Sequence, residues 1–271
     1  MSGVARSWFF FLTYLTYLTL FVGPAQWLVL GPLVALWPSR RRAVVGAWLR
    51  LQARTTLALA RVLGGLRVAV EGSLPPVSAI VLMNHQSVLD IPLGLSLVTG
   101  PYPLIPTRAK YGRGIPGVSG LVQLARFPQL MQGERASRQE FAAMTEAARQ
   151  VARGEQSLLM FPEGHRSRDG SILPFMSSGL RLVFRNAPER PVYLLIVDGL
   201  WQLRTSAETA RRLAGTTARV RIVGPYTIPP DPGEWNVFAD SLRRNMIQVL
   251  EQLRTPVVAT PEVATGSHAA V

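Results

Sequence analysis

The chain has no cysteine and only three histidines. The first absence excludes disulfides and thiolate metal sites, though it does not fix a compartment. The second leaves His85, His165 and His268 as the only imidazoles. His268 lies in "TPVVATPEVATGSHAAV" (Thr255–Val271). That stretch is small, proline-dotted and aperiodic, so a disordered tail is expected over 257–271. No pair of histidines has ligand spacing on one helix, which leaves a metal hydrolase unsupported; no metal or cofactor is expected. Acidic residues are also scarce, 16 against 29 basic, and the net charge is +13, nearly all of it arginine. An excess of that sign favours an anionic partner: membrane lipid, an acidic carrier or cofactor, or nucleic acid. A nucleic-acid role lacks any groove-reading motif or aromatic–basic interleaving.

Charge is missing altogether from Trp8–Pro38. As one helix, the 30 residues from Trp8 to Trp37 would run roughly 45 Å, against a hydrocarbon core of about 30 Å. Two forms fit: one tilted span with interfacial aromatics, or a helical hairpin broken at Gly23-Pro24. Only Arg6 precedes the segment and no small-residue cleavage site precedes the basic run, so a cleaved signal is disfavoured. Residues 1–42 therefore read as a membrane-embedded anchor. Arg40, Arg41 and Arg42 follow it and point to the cytoplasmic face.

Residues 43–256 read as a single domain. Ala43–Leu66 has a helical pattern with Arg42, Arg50, Arg54 and Arg61 near one face. That stripe is either simply solvated or laid against anionic headgroups. Leu66–Gly72 alternates like a strand, and Ala79–Met83 is a continuous apolar run of the kind a parallel sheet covers on both faces. Helix-like Ser87–Val98 follows. Gln129–Met131, Ser157–Phe161, Val192–Val197 and Ala218–Val223 are further strands. Ser137 and Glu140 form a capping box for a helix ended by Gly154. Trp235–Arg254 repeats apolar residues at spacings of three and four, which reads as a core stripe without chemistry. The alternation predicts an α/β fold: a mixed, mostly parallel sheet flanked by helices.

Two short stretches could carry chemistry. In "NHQSVLD", His85 follows a buried-strand pattern, the usual place for ligand contact in an open α/β sheet. With Ser87 as a helix N-cap, Asp90 falls three residues on, where a capping box would use it. A turn could equally fold Asp90 onto His85, so that one carboxylate does both jobs. In "FPEGHRSRDG", a strand runs into a Pro/Gly turn that presents Glu163, Gly164, Arg166, Ser167 and Arg168. Arginines there suit bidentate contact with a phosphate, or an ordinary basic turn.

Together, "NHQSVLD" and "FPEGHRS" resemble the His-x4-Asp and Phe-Pro-Glu-Gly-Thr-Arg-Ser blocks of the glycerolipid acyltransferases, closest to the 1-acylglycerol-3-phosphate (PlsC-like) family. Glu134-Arg135, "LPFMSSG" (Leu173–Gly179) and "RPVYLLIVDG" (Arg190–Gly199) echo further family blocks, and the likeness covers Leu66–Tyr226. The sequence departs from the pattern at His165 (usually threonine), Met176 (commonly lysine) and Leu194-Leu195 (usually Val-Pro). The resemblance implies a membrane acyltransferase. Its donor would be an acyl-CoA or acyl carrier protein thioester, and its acceptor a lysophospholipid, foremost 1-acylglycerol-3-phosphate. It implies His85 as general base and Asp90 as its orienter, with Asn84 or amides near the helix start holding the oxyanion. Arg166, supported by Glu163, Gly164 and Ser167, would bind the acceptor phosphate, with Arg135 as a second phosphate ligand. Another lysolipid as acceptor, or a non-catalytic lipid-binding relative, are the alternatives that His165 and Met176 keep open.

Overall fold

The structure, a computed structural model, describes residues 2–131 and 137–255. Arg135 and the expected tail therefore lie outside the described residues. The apolar segment forms one helix, α1 (Gly3–Leu36, 34 residues), which does not reverse at Gly23-Pro24. Its ladder widens to π turns over Leu18–Val22 and Gln26–Leu30, each directly before a Gly-Pro pair. Proline lacks an N–H and collides with the carbonyl four residues back; one widened turn absorbs both problems without a break.

Helix α2 (Arg41–Val62) leads into the sheet. The strands are β1 (Arg67–Glu71), β2 (Ile80–Met83), β3 (Pro103–Leu104), β6 (Ser157–Met160), β7 (Val192–Asp198) and β8 (Thr217–Tyr226). Their order is β1-β8-β7-β2-β6-β3, and every pairing is parallel except β7 with β8. This is the mixed, mostly parallel sheet expected. β2 sits in the middle with all four residues buried, which is why its run is apolar on both faces. The strand expected near Gln129 exists as β5 (Gln129–Leu130) but pairs with β4 (Thr107–Arg108) in a separate two-stranded ladder.

The remaining α-helices among the described residues are α3 (Asp90–Leu97), α4 (Ser119–Ala125), α5 (Arg138–Ala152), α6 (Ser177–Asn186), α7 (Ser206–Arg212) and α8 (Trp235–Arg254). α5 opens on the complete Ser137/Glu140 capping box. α3 begins at Asp90, not Ser87. The intervening residues form a turn, because Ser87 is bonded elsewhere: its hydroxyl donates to the Leu203 carbonyl at 2.6 Å.

Helix α1 is stitched to this domain along one face. Arg6 donates to the carbonyls of Val62 and Leu63, capping the end of α2. Ser7, fully buried, accepts from the Ala214 amide. Tyr17 donates to Gln52, Thr56 donates to the Tyr14 hydroxyl, and Gln26 donates to the Gly117 carbonyl. From Arg6 to Gln26 these contacts span roughly 30 Å of helix. Phe9, Leu12, Leu20, Phe21, Leu28 and Val29 on the remaining surface are exposed.

Candidate active site

β2 and β6 are parallel neighbours, so the segments that follow them emerge side by side at the same end of the sheet. His85 stands two residues beyond β2, and Phe161–Gly170 begins directly after β6. In an open α/β sheet this carboxyl edge is where ligands are met.

The His85 ring is held by two contacts. Its Nδ1 lies 2.9 Å from Asp90 Oδ2. Asp90 has no exposed side-chain surface, whereas the imidazole keeps 16% of its own. An ionised carboxylate only accepts, so Nδ1 carries the hydrogen and Nε2 is left with a lone pair. Phe161 stacks on the ring with centroids 4.0 Å apart and planes 24° apart. Asp90 Oδ2 also accepts from the amides of Gln86 and Ser87, both at 2.6 Å. The same oxygen thus closes the turn and holds the imidazole; the capping box weighed for Asp90 is not formed, because the helix starts at Asp90 itself.

The second motif holds the His85 backbone. Glu163 Oε1 accepts the His85 N–H at 2.8 Å, and the Ser167 N–H donates to the His85 carbonyl at 2.8 Å. Glu163 Oε2 accepts from Leu173 N at 2.7 Å. Burial pushes the Glu163 carboxyl up to about 7, against the two amides that favour its charged form; the nearby Asp90 charge adds to the rise. Glu163 and Ser167 are both buried, so they face the backbone beneath the site rather than an incoming phosphate.

Other site residues lie as follows. Gly164 closes the turn after Phe161 at φ 69, a left-handed conformation that suits glycine. A Cβ there would meet Met176 Sδ at 2.5 Å, so the residue found where lysine is common lies directly over this turn. His165 is exposed. Half-buried Arg166 donates one Nη to the Arg204 carbonyl, which tethers the turn to the segment after β7.

Asn84 does not fit the oxyanion role expected of it. Asn84 Nδ2 donates to the Val197 carbonyl and its Oδ1 accepts the Val197 amide, so both ends of the side chain bridge to β7. The amides of Gln86, Ser87, Leu89 and Asp90 are also engaged within the turn. None of these groups is left to stabilise an oxyanion. A further set of supports comes from α8, read from the sequence as core alone. Arg243 donates to the carbonyls of Ile172 and Leu173, and Arg254 to that of Gly170. Solvent-side arginines on an amphipathic helix give no periodic signal of such contacts.

Known proteins resemble this chain in sequence and fold. A family model described as Acyltransferase matches residues 67–196. Human 1-acyl-sn-glycerol-3-phosphate acyltransferase alpha is 25% identical over 201 residues, covering 70% of this chain and 66% of the human protein. The mouse protein of the same name is 28% identical over 206 residues, covering 74% and 70%. The chain thus spans just under two thirds of the human relative's length. PlsC of Thermotoga maritima, a 1-acyl-sn-glycerophosphate acyltransferase of known structure, aligns with a TM-score of 0.64 at 20% identity, over 92% of this chain and 97% of that one. The fold is that of a PlsC-like glycerolipid acyltransferase. Over residues 67–196 the sequence is similar to the acyltransferase family.

Proposed function

We propose that the protein transfers a fatty acyl group from a thioester, acyl-CoA or acyl carrier protein, to the free hydroxyl of 1-acylglycerol-3-phosphate, giving phosphatidic acid. His85 Nε2 takes the hydroxyl proton as the oxygen bonds to the thioester carbon. The tetrahedral intermediate then collapses, the C–S bond breaks, and the departing thiolate recovers that proton from the imidazolium. Asp90 holds the required tautomer and stabilises the transient charge. No covalent acyl-enzyme is invoked; Ser87 is buried and bonded to the Leu203 carbonyl.

The single observation that carries the reading is the His85 imidazole, partly exposed, bonded to a fully buried Asp90 and held through its own peptide by the second motif. In this reading Arg166 binds the acceptor phosphate with its remaining N–H groups, while Glu163 and Ser167 position His85. Arg135 is a second phosphate ligand. His165 and Met176 bear on headgroup choice, and another lysolipid is the alternative they favour.

Membrane association is part of the same proposal. Helix α1 is long and apolar enough to cross a bilayer. In this reading it stays bonded to its domain over roughly 30 Å of its length, with its exposed apolar face immersed along the membrane surface. Arg40, Arg41 and Arg42 then lie where anionic cytoplasmic headgroups would meet them.

The test is acyl transfer by membranes carrying the wild-type chain or His85→Ala, with labelled thioester donors and a panel of lysolipids read by mass spectrometry. The expected result is phosphatidic acid from wild type and a loss of about 10²–10⁴ in the variant. Equal products from both would overturn the mechanism; turnover of a different lysolipid would change the acceptor; none at all would favour a lipid-binding relative.

A further inference from the structure

A cavity of about 260 Å³ lies at the other end of the sheet from His85. Tyr102 and Gln156 line it, and they precede β3 and β6, whereas the catalytic segments follow β2 and β6. Four arginines share the lining: Arg41, Arg42, Arg126 and Arg153. Two of them are matched by acids. Arg42 pairs with Glu155 at 2.9 Å, and Arg153 pairs with Glu155 and Glu146 at 3.0 and 3.1 Å. Among the described residues, Arg41 has only a neutral partner, the Leu124 carbonyl at 2.7 Å, and the exposed Arg126 guanidinium has no hydrogen-bond or ionic partner. Four cations against two carboxylates leave an excess of two positive charges. Burial first, and then the Arg126 charge, hold the Arg41 guanidinium below its ordinary pKa.

Two further observations point to a ligand. Gln156 is 3% exposed, and among the described residues its buried Nε2 donor is met only by the Tyr102 hydroxyl of the same cavity, short of a well-formed hydrogen bond. A buried donor so poorly met carries a free-energy cost that a bound acceptor would remove. Arg126 adopts φ 53, ψ 43 at the end of α4, a left-handed position where glycine is the unstrained choice. An arginine held there presents its guanidinium at a backbone cost.

On the far side of Arg41 is a second cavity of about 210 Å³, walled by Gln26, Trp27 and Gly31 of α1 and by Gly120 and Leu124 of α4. Trp27 lies on the exposed apolar face. A cationic pocket thus adjoins a largely apolar trough that reaches the face assigned to the membrane. We propose that this pair of cavities is an anionic-phospholipid site separate from the catalytic centre. Arg41, Arg126 and Gln156 would take the phosphate, and the trough an acyl chain. The site does not depend on the catalytic reading.

Native mass spectrometry of the full chain released from dodecylmaltoside micelles tests it, with titrations of dioleoylphosphatidylglycerol, dioleoylphosphatidylcholine and inorganic phosphate. Arg126→Gly removes the guanidinium while easing the left-handed backbone, so it does not threaten folding. The expected result is one phosphatidylglycerol adduct weakened about 10-fold or more by Arg126→Gly, weakened also by Gln156→Leu, and unchanged by His85→Ala. Phosphatidylcholine should bind more weakly. Phosphatidylglycerol held no more tightly than inorganic phosphate would overturn the lipid as ligand. Equal adducts for wild type and Arg126→Gly would overturn the site.

Discussion

Asp90→Asn separates the two jobs of one carboxylate. Three N–H groups converge on Asp90 Oδ2, from His85, Gln86 and Ser87, at 2.9, 2.6 and 2.6 Å. Alanine would orphan all three; at about 1–3 kcal/mol each the sum rivals the ~5–15 kcal/mol stability of a typical domain. Asparagine with its oxygen at the Oδ2 position keeps an acceptor for all three, though a neutral one, roughly half as strong. Its NH₂ then falls where Oδ1 now sits buried without a partner, at about 1–3 kcal/mol. The fold should therefore survive with a lowered melting temperature. The imidazolium that forms in the reaction loses its counter-charge, and kcat/KM should drop by at least about 10², or ~2.7 kcal/mol of transition-state stabilisation. The assay pairs thermal unfolding with acyl transfer from a labelled thioester. A variant that melts lower yet turns over within a few-fold of wild type would show that Asp90 serves the turn alone, and the general-base assignment would fall with it.

Glu163→Gln should flatten part of the pH dependence of stability. Burial raises the Glu163 carboxyl to about 7, so its stabilisation is fully present below its unfolded value near 4.5 and is lost as pH rises through 7. Unfolding midpoints of wild type and variant between pH 4.5 and 8 should diverge in slope, with a fixed cost of about 1–3 kcal/mol because an amide NH₂ must face one of two amide donors. Arg166→Ala should raise KM for a phosphate-bearing acceptor about tenfold or more and leave the thioester KM unchanged in steady-state kinetics. Phe21→Glu with Leu28→Glu, at positions 65% and 75% exposed, should lower vesicle association by about 10² or more in flotation assays while the melting temperature holds.

Much of the fold was legible where burial imposes a pattern. Ile80–Met83 is apolar throughout because both its faces are covered, and Ser137 with Glu140 spells out its own cap. β3 was not, since a two-residue strand that opens on a proline carries no periodicity, nor α6, whose N-cap Met176 makes no side-chain bond. At the site, spacing alone brought His85 and Asp90 into view. It could not tell which way Glu163 and Ser167 turn, because a polar residue in a Pro/Gly turn is equally suited to solvent and to a buried amide. The buried bridge from Asn84 to Val197 depends on a strand 113 residues away and has no local signature.

Helix α1 has a practical consequence for anyone wishing to purify the protein without detergent. Cutting off the first forty residues would not yield the same domain in soluble form. It would strip Gln52 and Thr56 of their tyrosines, uncap the carbonyls of Val62 and Leu63, and lay bare the patch now covered by Phe10. The leading helix is better regarded as an outer wall of the domain whose weather side happens to be greasy.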